Sequence, residues 1–192
     1  MSCVITVTRE YGSGGRVIAK LLSGHLDIPF YDNEIIALTA KKSGFTEEFV
    51  KATEEKKTVS LLYNLYTTSL PVFDQIFAAQ SQVVKEIHKQ GSCVIVGSCA
   101  DYILRDETNC LNVFIFAPLE ERIRRVQGEY DMPVEDIRTY ILKQDKKRMT
   151  YYNYFSHNNW GRSHNYHLSI NSSVGIDTSV NMIMQAAKSM DV

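Results

Sequence analysis

The chain has 192 residues, enough for one domain with a full hydrophobic core. Its 21 Lys and Arg nearly cancel its 22 Asp and Glu, so no bulk charge argument points to nucleic acid or to an anionic membrane. No apolar run approaches the length of a transmembrane helix, and an apolar strand pattern beginning almost at residue 1 leaves no room for a signal peptide, so a cytoplasmic protein is expected.

Cys3-Val4-Ile5-Thr6-Val7-Thr8 is an apolar, β-branched run that meets Arg9-Glu10-Tyr11-Gly12-Ser13-Gly14-Gly15-Arg16, and a helical pattern follows at once. Strand, glycine cluster and helix form the context in which backbone N–H groups and a helix N-terminus cradle phosphate. The pattern G-x-x-x-x-G-K-[ST] is absent, with no lysine at the helix start, so residues 9–16 read as a modified phosphate-binding loop. The alternative is a strand–helix turn whose glycines supply positive φ.

Residues 16–26 place Ile18, Leu21, Leu22 and Leu26 on one helical face. Ile28–Asp32 is a short strand, and Pro29 assigns it to a sheet edge. Asn33 is expected to cap a helix that runs to about Lys42 and ends at Gly44. Thr46-Glu47-Glu48 starts another helix, whereas residues 55–70 combine helical and loop-like signals. From Val72 a strong helical pattern reaches Gly91. Ser92–Gly97 and Cys110–Ala117 are continuous apolar runs of the kind buried on both faces of a parallel sheet. Pro118 sits at an expected first helical position, with Glu120 and Glu121 in the first turn, and Pro133 with Glu135 and Asp136 repeats the device. Tyr166–Asn171 is a last strand, and Ile176, Val180, Ile183, Ala187 and Met190 form a last helical face. Cys3 and Cys93 lie in apolar runs, and none of the four cysteines has metal-type spacing, so buried free thiols are expected.

Strand and helix alternate throughout. The expected fold is α/β, a three-layer α/β/α sandwich around a parallel sheet of about five strands with right-handed crossovers. The loop at 9–16, Asp32, Ser98–Asp101, Pro118–Arg125 and Asn171–Ser173 all follow strands, so they should share one rim, where such sheets bind ligands.

With these positions in order, the sequence resembles the cytidylate kinase-like family of P-loop phosphotransferases. The resemblance rests on Thr8–Arg16, Ile28–Asp32, Val94–Leu104, Ala117–Arg125, Asp145–Tyr152 and Leu168–Asp177. It implies a P-loop nucleotide kinase fold in a single domain spanning 1–192, with an acceptor-binding helical insertion at about 33–71 and a lid at about 143–163. It implies transfer of the γ-phosphate of ATP, with Mg²⁺, to a nucleoside monophosphate, CMP or dCMP first. The partners it implies are small-molecule nucleotides, with neither nucleic acid nor membrane.

The same resemblance implies site roles. Backbone N–H groups of Gly12, Ser13, Gly14 and Gly15 would hold the donor phosphate. Arg16 is a stand-in for the missing lysine, and Arg9 is the alternative from the strand end. The Ser13 hydroxyl is the nearest candidate Mg²⁺ ligand. Asp32 lies where an acceptor-binding carboxylate is placed, or else opens the next helix together with Asn33. Asp101 is a rim group for the acceptor, or a helix cap. Ser98 stands where an arginine against the acceptor phosphate is implied.

Arg122 is the arginine expected to face the nucleotide, with Arg124 and Arg125 on a solvated face. Asp145 and Arg148 match the lid's acid and arginine, Arg148 being the candidate transition-state cation; a basic run ending a helix also answers the dipole alone. The aromatics at 151–155, with Trp160, stack a base or pack the lid. Asn171 and Ser172 match the loop beside the donor adenine.

The missing lysine and Ser98 keep two alternatives open. One is a catalytically weak or inactive nucleotide-binding or regulatory protein on the same fold. The other is a kinase for another small phosphoacceptor.

Overall fold

Val4–Arg9 (β1) and Cys110–Phe116 (β4) run side by side in parallel register, from Val4 opposite Cys110 to Arg9 opposite Ile115. Cys93–Val96 (β3) flanks β1 on its other side, and Phe30–Tyr31 (β2) pairs only with β3. Leu168–Asn171 (β5) completes a five-stranded, all-parallel sheet in the order β2-β3-β1-β4-β5. The structure is a computed structural model that describes residues 3–55, 70–129 and 136–190. The edge assignment of the Pro29 strand holds: β2 is an outer strand, and Pro29 contributes its carbonyl to the Val94 N–H.

Strand alternation sorts the apolar residues onto two buried faces. Ile5, Val7, Val94, Val96 and Ile115 pack against Gly15–Leu26 (α1) and against the helix Ile176–Ser189 that ends the described chain. Val4, Cys93, Ile95 and Cys110 face the opposite layer. That layer includes Val83, Val84 and Ile87 of the long helix Leu70–Lys89, the short helix Ala100–Ile103, and Tyr152. Side chains such as Ile5, Ile18 and Ile95 are fully buried, each worth about 1.5–3 kcal/mol. All four cysteines are buried free thiols, and burial pushes Cys93 and Cys110 up to about 12.

Two helices, Glu34–Ser43 (α2) and Glu47–Glu55 (α3), follow β2. Ala40, Val50 and Ile76 join them to the long helix Leu70–Lys89 in a small core of their own. Residues 56–69, the rest of the expected insertion and most of the ambiguous stretch, lie outside the described residues, as does the expected helix start at Pro133. Leu70–Lys89 is α4 and Ala100–Ile103 is α5. Leu119–Glu129 is α6, and Ile137–Ser156 is α7, one continuous helix capped by the Asp136 side chain. The last helix, Ile176–Ser189, is α8.

Two helix starts differ from expectation. Asn33 makes no side-chain cap; the Glu34 carboxylate instead accepts from the Asp32 N–H. Pro118 stands one position before α6, where its carbonyl accepts from the Arg122 N–H.

Candidate active site at the carboxyl rim of the sheet

The parallel strands bring the loops after β1, β3, β4 and β5 to one rim, with Asp32 after β2 beside them. The loop after β1 turns twice through left-handed glycines, Gly12 at φ 76° and Gly14 at φ 80°. Each glycine also makes room for a neighbour. A Cβ on Gly12 would lie 2.9 Å from Val126, one on Gly14 2.8 Å from Ile176, and one on Gly15 2.6 Å from the Arg9 Cβ. Gly12, Gly14 and Gly15 line an open cavity of about 690 Å³, together with Arg9, Arg16 and Arg148. The first N–H groups of α1 have no partner within the helix, and the helix dipole adds positive potential there.

The loop is anchored from beneath. Arg122, 7% exposed, places Nη1 2.5 Å from Asp145 Oδ2 and Nε 3.4 Å from Glu10 Oε2, and it also donates to the Tyr11 carbonyl. Asp145 Oδ1 accepts from the Tyr11 N–H at 2.7 Å. Glu10 accepts from the Ala117 N–H, and its burial raises its carboxyl against the lowering effect of Arg122. The Ser172 hydroxyl donates to the Ser13 carbonyl at 2.6 Å, and Arg125 donates to the Gly12 carbonyl at 2.8 Å. Asn171 accepts from the N–H and hydroxyl of Ser173.

Three sequence expectations therefore change. Arg122 does not line the loop cavity but braces the loop, because two sequence-distant carboxylates hold it inside. Arg125 does not sit on a solvated face, because the loop carbonyl draws it in. The Ser13 hydroxyl is fully buried and donates to the Glu10 carbonyl at 2.9 Å, turned away from any metal in the cavity. Among the described residues, no cluster of His, Cys, Asp and Glu could hold a metal ion.

Asp32 meets both candidate loop cations. Its Oδ2 lies 2.6 Å from Arg16 Nε and its Oδ1 3.7 Å from Arg9 Nη2. Asp32 is 8% exposed and Arg16 63%, so Arg16 reaches in from solvent while the carboxylate stays covered. The Arg9 guanidinium also lies against Gly97, where any Cβ would collide with it. Gly97, Ser98 and Cys99 are three successive left-handed residues, closed by the Ala100 N–H on the Gly97 carbonyl. Left-handed backbone costs a non-glycine residue about 1–2 kcal/mol, and such strain gathers at functional sites.

That strained turn walls a second cavity of about 480 Å³ beyond β3. Arg9, Tyr11 and Arg148 line both cavities and so stand at the seam between them. Arg148 donates to the Arg9 carbonyl at 3.0 Å and lies 5.3 Å from the centre of the Tyr11 ring. One face of α7, carrying Tyr140, Gln144, Lys147, Arg148 and Tyr151, lines the second cavity, and Lys51 of α3 joins it. Sequence reasoning missed Tyr140, Gln144 and Lys51. The spacing i, i+4, i+7, i+8, i+11 on α7 carries the signal for one face.

The aromatics pack the body of the protein, and three of them also line the second cavity. Phe155 stacks on Phe77 with centroids 4.0 Å apart, and Trp160 meets Phe114 edge-on at 5.3 Å, while Tyr151, Tyr152 and Trp160 also line the second cavity.

Asp101 lies beneath this cavity, 3% exposed. It accepts from the Tyr152 hydroxyl at 2.7 Å, with Thr8 Oγ1 at 3.5 Å. Burial raises its carboxyl to about 6 and also raises the Tyr152 and Tyr166 phenols. It lines neither of these cavities but a separate one of about 530 Å³, with Tyr152 and Tyr166.

The fold matches solved structures along nearly its whole length. An uncharacterized protein from Eubacterium ventriosum ATCC 27560 is 27% identical, with a TM-score of 0.74 over 97% of this chain and 99% of that one. Shikimate kinase from Bacteroides thetaiotaomicron is 14% identical, TM-score 0.59, over 98% and 99%. A gluconokinase from Sinorhizobium meliloti 1021 is 13% identical, TM-score 0.61, over 98% and 93%. At these identities the two kinases establish a shared fold alone. No curated protein sequence matches the chain. The profile of the cytidylate kinase-like family matches residues 4–174.

Proposed function

The chain belongs to the cytidylate kinase-like family, and on that premise we propose that it transfers the γ-phosphoryl group of ATP to an acceptor that already carries a phosphate, CMP being the first candidate. The observation that carries this reading is the seam: two cavities, one on the glycine loop and one beyond β3, meet at Arg9, Tyr11 and Arg148. Phosphoryl transfer asks chiefly for positioning and charge neutralisation. The loop N–H groups of Gly12, Gly14 and Gly15 would hold the donor phosphates, with Arg16 at the mouth. Arg9 and Arg148 would neutralise the group in transit, where such cations are most effective. Ser13, Ser172, Arg122 and Asp145 serve the loop's shape, while the Asn171 side chain accepts only from Ser173 among the described residues.

The acceptor's nucleophile follows from the walls. No Asp or Glu is among the described residues lining the second cavity. A phosphate oxygen is already ionised and needs no base, which suits walls whose described residues include no carboxylate. That oxygen forms the new bond to the γ-phosphorus, the bond to the β–γ bridging oxygen breaks, and ADP leaves with the electron pair. Mg²⁺ accompanying ATP would neutralise charge on its phosphate oxygens.

A second reading, nucleotide binding without turnover, draws on Asp32, which pairs with both Arg9 and Arg16. Coupled ADP-release assays over all nucleoside monophosphates, beside thermal shift with ATP, separate the two. Turnover with any monophosphate supports the kinase. Stabilisation by ATP without turnover supports the binder, and no response to ATP refutes both.

A further inference from the structure

Asp101 is a buried carboxylate that the transfer chemistry leaves unused. It is 3% exposed and follows β3 by way of the strained Gly97–Cys99 turn, on the short helix α5. It lines neither the loop cavity nor the second cavity. Among the described residues its partners are the Tyr152 and Thr8 hydroxyls and the backbone of its own helix, and no cation is among them. A buried carboxylate without a cation costs stability, and burial raises this one to about 6. An apolar side chain would fill the space without that cost, so packing alone does not explain the charge.

Its partners stand beside the seam. Thr8 immediately precedes Arg9 on β1, and Tyr152 lies one helical turn beyond Arg148 on α7. Residues at i and i+4 share a helix face, and both Arg148 and Tyr152 line the second cavity. The Tyr152 hydroxyl donates to Asp101 at 2.7 Å, the shorter of the two links, with Thr8 at 3.5 Å.

On the other side of Arg148, Asp145 ties α7 to the Tyr11 N–H and to Arg122. Arg148 therefore sits between two anchors of one helix, one on the glycine loop and one on Asp101. It reaches across to the Arg9 carbonyl at 3.0 Å, so its guanidinium moves with α7 relative to β1. A hydrogen bond to an ionised acceptor is about twice as strong as a neutral one. That gives the buried charge a use, because a small displacement of a group at the reacting centre is costly to rate.

Resting on the kinase reading above, we infer that Asp101 is a positioning residue for phosphoryl transfer, acting through Tyr152 to hold Arg148 at the seam.

Tyr152→Phe removes the hydroxyl and keeps the ring, and Asp101→Asn removes the charge and keeps an acceptor. Each is made alone and beside Arg148→Ala. The ADP-release assay gives kcat and acceptor KM, ADP titration gives donor affinity, and melting at pH 7.5 reports the fold. Tyr152→Phe is expected to lower kcat at least fivefold and Asp101→Asn at least threefold, with acceptor KM and ADP affinity within twofold. Asp101→Asn is expected to melt no lower than the unaltered chain, which separates its loss of rate from a loss of fold. Beside Arg148→Ala, the same substitutions are expected to change kcat less than twofold. A kcat within twofold of the unaltered chain in both single variants, a raised acceptor KM alone, or a kcat loss that persists undiminished beside Arg148→Ala overturns the inference and leaves the kinase standing. Absence of turnover by the unaltered chain with every nucleoside monophosphate overturns the kinase reading and this inference with it.

Discussion

Asp145→Ala removes the one carboxylate that ties α7 to both Tyr11 and Arg122. Its two oxygens accept from the Tyr11 N–H at 2.7 Å and from Arg122 at 2.5 Å. The pair is well covered, with Arg122 7% and Asp145 14% exposed. Stripping one partner from a buried pair costs about 3–5 kcal/mol. Glu10 remains 3.4 Å from Arg122 Nε and keeps part of the charge compensated, which lowers the expectation to about 2–3 kcal/mol. The orphaned Tyr11 N–H adds about 1 kcal/mol. A total near 3 kcal/mol corresponds to a fall in Tm of about 6–12 °C for a chain of this size. Urea denaturation followed by far-ultraviolet circular dichroism measures the loss, and ADP titration measures the loop. Both are expected to suffer, and Asp145→Asn, which keeps an acceptor for Tyr11, is expected to lose less. A loss under about 1 kcal/mol together with a raised acceptor KM would refute the bracing role and make Asp145 a substrate ligand.

Asp101 makes stability depend on pH. Its carboxyl is raised from 3.8 to about 6 in the folded protein, so between about pH 4 and 6 the folded state holds a proton that the unfolded chain releases; stability should fall by about 3 kcal/mol as pH rises through that window. Asp101→Asn should flatten the profile, and parallel profiles would contradict the assignment. Gly15→Ala drives a Cβ to 2.6 Å from the Arg9 Cβ and should cost about 1–3 kcal/mol and weaken ADP binding. Gly24→Ala meets nothing within 4 Å on the exposed side of α1 and should stabilise by about 0.5–1 kcal/mol; equal melting shifts for the two would sink the packing argument. Arg148→Ala should lower kcat about 10²–10³-fold in the ADP-release assay, the loss expected for one electrostatic donor at a transition state, and an unchanged kcat would remove Arg148 from the transfer step.

The sheet was legible because a strand buried on both faces must be apolar throughout, and β1, β3 and β4 are. The glycine loop was legible for the same kind of local reason. What the sequence could not disclose is why those glycines are needed. Gly12, Gly14 and Gly15 yield space to Val126, Ile176 and Arg9, two of which lie more than a hundred residues away. The arginines show the limit more sharply. Arg9, Arg122, Arg125 and Arg148 are one residue type on one rim, yet Arg122 and Arg125 support the loop while Arg9 and Arg148 face its cavity. The difference lies in the partners: Glu10 and Asp145 for Arg122, and the Gly12 carbonyl for Arg125, groups that only the fold brings near. The polar residues Tyr140 and Gln144 on the same α7 face were hidden for the opposite reason. A polar helical stripe reads as a solvated surface until α3 is seen packed against it. The charge at this rim is therefore set less by the loop's own side chains than by what lies beyond them. Asp32 offsets Arg9 and Arg16, Ser13 turns inward, and what remains is a backbone cradle facing a helix that brings Arg148 to its edge.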